Sequence, residues 1–268
     1  MKVIQTLFVL FIFLSAGCED ISNVDFNIKH DEHIVIKAEL VSEQIFKGVV
    51  IIKTLPLEET FDIKKAEVKN AEAYLLINGV QIIPIHYTSN GVYKPLYDLE
   101  ILSGNKYELF CKVEGRSIYA ETIVPFKPEV ADVIYNNGLY LIGNVIPKIN
   151  EAYGAIWTIQ GNDNEISRAK DYFSVVETSD QLSAELPVRT QDVSPEYRAA
   201  IYRGLTYIKV ISFDKSFAEY FKTKDKNQLI ENTFTSGGGL VAWNVQGEKT
   251  IGLFIGLSEG DLIKPLSN

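Results

Sequence analysis

After residue 32 the chain alternates between apolar and polar positions in short, repeatedly interrupted runs. From His33 to Leu40 the residues Ile34, Ile36 and Ala38 fall on one face, which predicts a strand, and Gly48 to Leu55 predicts a second. After the break at Pro56 to Glu59 and a charged stretch, Ala71 to Ile77 runs into Asn78-Gly79 and resumes as Val80 to Tyr87. Asn-Gly tolerates positive φ at both turn positions, so this is a hairpin signal. Asn90-Gly91 marks another turn before Val92 to Leu96, and Glu114-Gly115-Arg116 joins Lys106 to Val113 with Ser117 to Val124. Seven short strands spaced by turn signals over about 95 residues predict an immunoglobulin-like or fibronectin-like β-sandwich over residues 32–125, closed by Pro125 and Pro128.

The second half, residues 129–268, predicts a further β-rich domain with short helical insertions. Its expected strands are Gly138 to Ile146, Tyr153 to Gln160, Tyr172 to Glu177, Leu205 to Phe213, Gly239 to Val245 and Thr250 to Leu257. In the last, Ile251, Leu253, Ile255 and Leu257 share one face while Gly252, Phe254 and Gly256 share the other, which predicts a close backbone approach beside Phe254. Ser194-Pro195 reads as the start of a helix ending near Gly204, and Asp214 as the cap of a second through Lys222. The fold class expected is therefore mainly β throughout.

One apolar run stands apart from this alternation. Met1-Lys2 is a short basic start, Val3 to Leu14 is mostly apolar, and Ser15-Ala16-Gly17-Cys18 follows before the acids Glu19-Asp20. The run is shorter than the roughly 20 residues that span a bilayer and has the form of a signal peptide. Its end resembles a bacterial lipoprotein box, which implies cleavage after residue 17 and lipidation of Cys18. Residues 18–31 then read as a lipidated tether, and the membrane becomes a partner through two or more acyl chains.

Composition narrows the remaining choices. Cleavage would remove Lys2 and no acid, moving the formal charge from −9 to −10, which argues against nucleic acid as a partner. At 46% hydrophobic and 11% aromatic residues the chain is globular, and Val, Ile, Tyr and Phe favour strands. With Cys18 committed to lipid, Cys111 has no disulfide partner and reads as a buried inert thiol.

Candidate chemistry is sparse. His30 and His33 flank two acids where the tether becomes a strand, and residues three apart point to opposite faces of extended chain, so they read as solvated rather than metal-ligating. No histidine follows His86, which excludes a serine–histidine triad built within the second domain. Gly237-Gly238-Gly239 lacks the Lys-Ser/Thr of a phosphate loop, and Asp163 with Glu165 reads as a polar turn rather than a calcium site. No catalytic residue, metal or cofactor is assigned. Of the aromatics, Trp157 reads as core, while Tyr197, Arg198, Tyr202 and Arg203 on the first expected helix are the candidate contact surface for a ligand or partner.

With these features in place, the chain resembles a family of Bacteroidota lipoproteins known as domain of unknown function 4249. The resemblance rests on Cys18-Glu19-Asp20, the strand Ile34 to Leu40, the pair Gly104 to Val113 and Ser117 to Pro125, and Trp243-Asn244-Val245 followed by Gly247 and Ile251-Gly252-Leu253-Phe254. It implies an outer-membrane lipoprotein facing the cell surface or the periplasm, of a kind often encoded beside a TonB-dependent receptor and with no established activity, which makes such a receptor the expected partner. The expected function is a non-enzymatic accessory protein that assists such a receptor in ligand capture or gating. A structural or adhesive surface lipoprotein is the alternative. A glycan hydrolase using Asp163 and Glu165 ranks third, since it needs two carboxyl groups about 5 to 9.5 Å apart across a cleft.

Overall fold

A computed structural model of the chain describes residues 30–56, 58–136, 139–160, 166–168, 175–177, 184–193, 195–199, 203, 205–223 and 241–265. The first half forms the expected seven strands: β1 (Ile34–Val41), β2 (Val49–Lys53), β3 (Glu72–Ile77), β4 (Gln81–Ser89), β5 (Val92–Lys94), β6 (Lys106–Val113) and β7 (Arg116–Ile123). Asn78-Gly79, Asn90-Gly91 and Glu114-Gly115 all take positive φ at both positions, so three tight hairpins set the register. Strands β1, β2 and β5 make one layer and β4, β3, β6 and β7 the other. Strand β4 passes between layers, pairing with β3 up to Ile85 and with β5 from His86. This is the strand order of a fibronectin-like sandwich. Alternate residues of both layers, among them Ile34, Ile36, Ile51, Leu75, Leu109 and Ile118, interdigitate in one core. Buried Tyr107, at the start of β6, accepts a hydrogen bond from the Leu102 N–H at 2.9 Å, the tyrosine corner of such sandwiches.

The second half repeats this order. Strands β8 (Val130–Asn136), β9 (Tyr140–Val145) and β13 (Leu186–Arg189) form a three-stranded layer. Facing it, β10 (Glu151–Gln160) is flanked by β11 (Ile166–Arg168) and β12 (Val175–Glu177) on one side and β14 (Thr206–Asp214) on the other. Val133, Leu141 and Val188 from the first layer meet Tyr153, Trp157, Ile208 and Val210 from the second.

Two further strands join the halves. β15 (Val245–Gly247) extends the first sandwich beside β7. β16 (Thr250–Ile263) spends Thr250 to Leu257 in a parallel ladder with β1 and then pairs antiparallel with β14 through Ile263. It is thus the last strand of the second sandwich and an added strand of the first, and Phe254 is fully buried in the first core. The division expected between residues 125 and 129 is the crossing from β7 to β8, but it lies inside a single compact unit, Glu32–Asn268. Across that crossing the Ser258 hydroxyl donates to the Pro125 carbonyl at 2.6 Å and the Ser212 hydroxyl to that of Phe126 at 2.8 Å.

Several local expectations are corrected. Residues 241–244 are not strand, because the Asn244 amide side chain instead bonds both backbone groups of Phe254, accepting from its N–H at 2.9 Å and donating to its carbonyl at 2.7 Å. The helix expected from Pro195 opens as a 3-10 turn, Pro195–Tyr197. A one-turn helix, Ile63–Ala66, stands in the charged stretch, capped by Asp62, whose side chain accepts from the Lys64 N–H. Among the described residues no helix is long and apolar enough to cross a membrane.

The close approach expected beside Phe254 is present. Gly252 has φ +144°, and a Cβ there would lie 1.9 Å from the Ile36 carbonyl oxygen. Gly252→Ala is expected to lower the urea midpoint strongly, by about 3 kcal/mol or more in stability. Gly79→Ala, whose Cβ would meet nothing within 4 Å, is expected to cost only the turn strain, about 1 kcal/mol. Equal midpoints for the two variants would refute the ladder geometry.

Candidate functional site

The outer face of the β1–β16–β14 sheet carries a groove of about 520 Å³, within the range of small-molecule sites. Its floor follows from the alternation in β16, whose glycine and phenylalanine face turns to the first core and puts Leu253, Ile255 and Leu257 on the opposite face. There Ile255 is buried with Ala152, Ile211, Phe213 and Ala218, and the two leucines are half-buried against that cluster. The register places Lys37 beside Leu253, Glu39 beside Ile255, Val41 and Phe213 on either side of Leu257, and Ile211 beside Glu259. Phe217 forms one wall and the loop residues Gln44 and Lys47 another.

The wall is positioned by the helix Ser216–Thr223. Asp214 starts it as expected, one carboxylate oxygen accepting from the Ser216 N–H at 2.9 Å and hydroxyl at 2.7 Å. Its other oxygen accepts from the Ile123 N–H at 2.8 Å and the Thr122 hydroxyl at 3.1 Å, so one residue ties helix, second sandwich and first sandwich together. Ala218 is buried, and Phe217 stacks on Phe213 with ring centroids 4.5 Å apart. Tyr220 continues the aromatic cluster toward Trp243 at 5.5 Å.

Rim charges are mostly paired. Lys37 lies 3.8 Å from Glu39, both largely exposed, and Lys209 lies 2.6 Å from Glu259. Lys47, exposed at the groove mouth, is engaged by no ion pair among the described residues.

The contact surface expected on the first helix does not line this groove. Tyr197 packs on buried Trp157 with centroids 5.8 Å apart, and the Arg198 Nε–H donates to the Val193 carbonyl at 3.3 Å. Arg203 is exposed, while Tyr202, Cys18, Asp163, Glu165 and Gly237-Gly238-Gly239 lie outside the described residues. Among the described residues no group of three or more His, Cys, Asp or Glu could hold a metal ion. The groove residues were missed because they come from positions 37 to 259. The available signal was that both faces of Ile251 to Leu257 are apolar or glycine, as a strand covered on both sides requires.

Another aromatic row crosses the outer face of β3, β6 and β7. Tyr74 and Phe110 stack at 5.0 Å and 12°, and Tyr119 follows at 5.1 Å. The first pair is stacked and the second tilted at 59°, contacts that stabilise cross-strand pairing. The Tyr119 hydroxyl donates to Glu108 at 2.8 Å and also to Glu121, both bridged by Lys106.

The shifted ionisable groups are structural. Burial pushes the Cys111 thiol up to about 12, which leaves no thiolate at neutral pH. Burial also raises the Glu151 carboxyl, which accepts from the Tyr153 hydroxyl; that hydroxyl accepts in turn from the Lys148 N–H at 3.1 Å. Lys148 stands 5.0 Å over the Phe126 ring, so this cluster secures the crossing between sandwiches. A Tyr87 hydroxyl bond at 2.5 Å holds the Glu67 carboxyl below its ordinary range.

No protein-family model matches the chain, and no curated protein matches it.

Two outcomes follow from these environments. Cys111 is expected to react with a thiol reagent only when the protein is unfolded, and labelling under native conditions at a rate matching a free thiol would contradict its burial. Folding favours protonated Glu151, so stability falls as pH rises from about 4 through the raised value and is flat beyond it. Glu151→Gln holds the neutral state, and its advantage over the native protein in urea midpoint is expected to widen across that window. A gap independent of pH would show that Glu151 ionises without penalty.

Proposed function

We propose that this chain is a lipid-anchored, non-enzymatic accessory protein of the outer membrane that captures a ligand for a TonB-dependent receptor. The observation that carries the binding part is the groove itself, a ligand-sized hollow floored with hydrocarbon. The carboxylates at its rim are engaged by lysines, so it is suited to hold a molecule without transforming it. Support for the address comes from Met1 to Asp20, with its basic start, apolar run, Ala16-Gly17-Cys18 and following acids. The family resemblance stated above supports the receptor as partner.

A structural or adhesive surface lipoprotein is the second reading. It is favoured by the joining of two sandwiches into one unit by β16, which suits a rigid extension as well as a binding body.

Extraction from native cells in mild detergent, with mass spectrometry of the N-terminal peptide and of retained proteins, tests the proposal. The expected result is a diacylglyceryl-modified Cys18 and a receptor in stoichiometric amount. A modified Cys18 with no retained receptor would move the assignment to the structural reading, and an unmodified leader would overturn both.

A further inference from the structure

We infer that the groove over β1, β16 and β14 binds a small amphipathic anion, a long hydrocarbon chain ending in a carboxylate, with its head at Lys47 and its chain along Leu257, Ile255 and Leu253. This rests on the capture reading above and names the chemistry of its ligand.

The shape comes first. From Leu253 to Glu259 the floor follows one strand for six steps of about 3.3 Å, about 20 Å in all, so it is long and narrow rather than round. The nature of the floor then selects the occupant. It is the face of a sheet, whose main-chain donors and acceptors point sideways into the ladders with β1 and β14 and not outward. A peptide laid along it would leave its own N–H and C=O groups without partners on that side, whereas a hydrocarbon chain has none to satisfy. Aromatic Phe213, beside Leu257, and Phe217, stacked on it, add apolar wall.

Charge then orients the ligand. Glu39 is met by Lys37 and Glu259 by Lys209, which leaves Lys47 as the lining cation with no ion pair among the described residues. A single anion at Lys47 complements the site, and a cationic head would meet it unfavourably.

The test is calorimetric titration of the compact unit Glu32–Asn268, its cooperative unfolding in urea checked first, in detergent-free buffer. Dodecanoate is the probe and dodecanol its uncharged counterpart. Saturable one-to-one binding of dodecanoate is expected, weakened more than about tenfold by Leu253→Gln combined with Leu257→Gln, both on the outer face. Lys47→Glu is expected to weaken dodecanoate about threefold or more and to leave dodecanol unchanged. The urea midpoints of the variants check that they fold, and the single variant Leu257→Gln replaces the pair if the pair does not.

Absence of saturable dodecanoate binding overturns the inference, as does binding that the groove variants leave intact. Equal response of dodecanoate and dodecanol to Lys47→Glu overturns the head-group assignment. Tight binding of an apolar peptide in place of dodecanoate would give the groove to a protein segment instead. Receptor copurification without dodecanoate binding would sink this ligand and keep the accessory role, while dodecanoate binding without a receptor would do the reverse.

Discussion

The architecture depends on the parallel ladder between β1 and β16, strands separated by more than two hundred residues in sequence. Eight residue pairs from Ile34–Thr250 to Val41–Leu257 lie in register, and the backbones come together at Gly252, where no side chain fits. From this contact three things follow. Phe254 completes the first core, Leu253 to Leu257 become the floor of the outer groove, and the remainder of β16 is delivered to β14 to close the second sandwich. Because the ladder is so non-local, its loop-closure entropy must be met before its contacts form. The first sandwich has its own hairpins and core, so it is the part with local reason to form early.

A strand that serves two sandwiches has edges that ordinary pairing does not satisfy, and side chains fill the gap. Asn244 presents its amide to both backbone groups of Phe254, and the Thr122 hydroxyl accepts from the Gly256 N–H at 2.8 Å. Ser212, Ser258 and Asp214 bind the crossing at Thr122 to Phe126 in the same way. These are short, polar side chains with little conformational freedom to lose, placed where a buried, unpaired amide would otherwise cost about 1–3 kcal/mol. The two halves are thus joined by directional bonds between polar groups as well as by the shared strand β16 and a small apolar cluster in which Ile255 meets Ala152, Ile211, Phe213 and Ala218.

Legibility in the sequence followed the range of the interactions. The seven strands of the first half were readable because Asn78-Gly79 and Asn90-Gly91 set local hairpins and the alternation survives in Ile34, Ile36 and Ala38. Asp214 was readable as a helix cap for the same local reason. Strand β8 was missed because only Val133 of its seven residues is buried, so it shows no alternation, and β13 because it is four residues long and contains Pro187. The second half of β16 reads as a turn, Ser258-Glu259-Gly260-Asp261, yet it is strand because Ser258 bonds Pro125 and Gly260 lets the Val210 carbonyl approach. Nothing local marks Asn244 as a substitute strand. The groove was the least legible of all, since its residues meet only through the non-local ladder, and the packing of Tyr197 on Trp157 is equally invisible at sequence range.

Strand β1 is held on both sides, by β2 running against it and by β16 running with it. A pull on the chain ahead of Ile34 acts along the length of β1, so the hydrogen bonds of both ladders are loaded together in shear instead of being peeled one after another. Since β16 continues into the second sandwich, the load divides between two cores. The unit is built as a lap joint at the end where the leading segment attaches. Its resistance there is a matter of unfolding rate rather than of equilibrium stability.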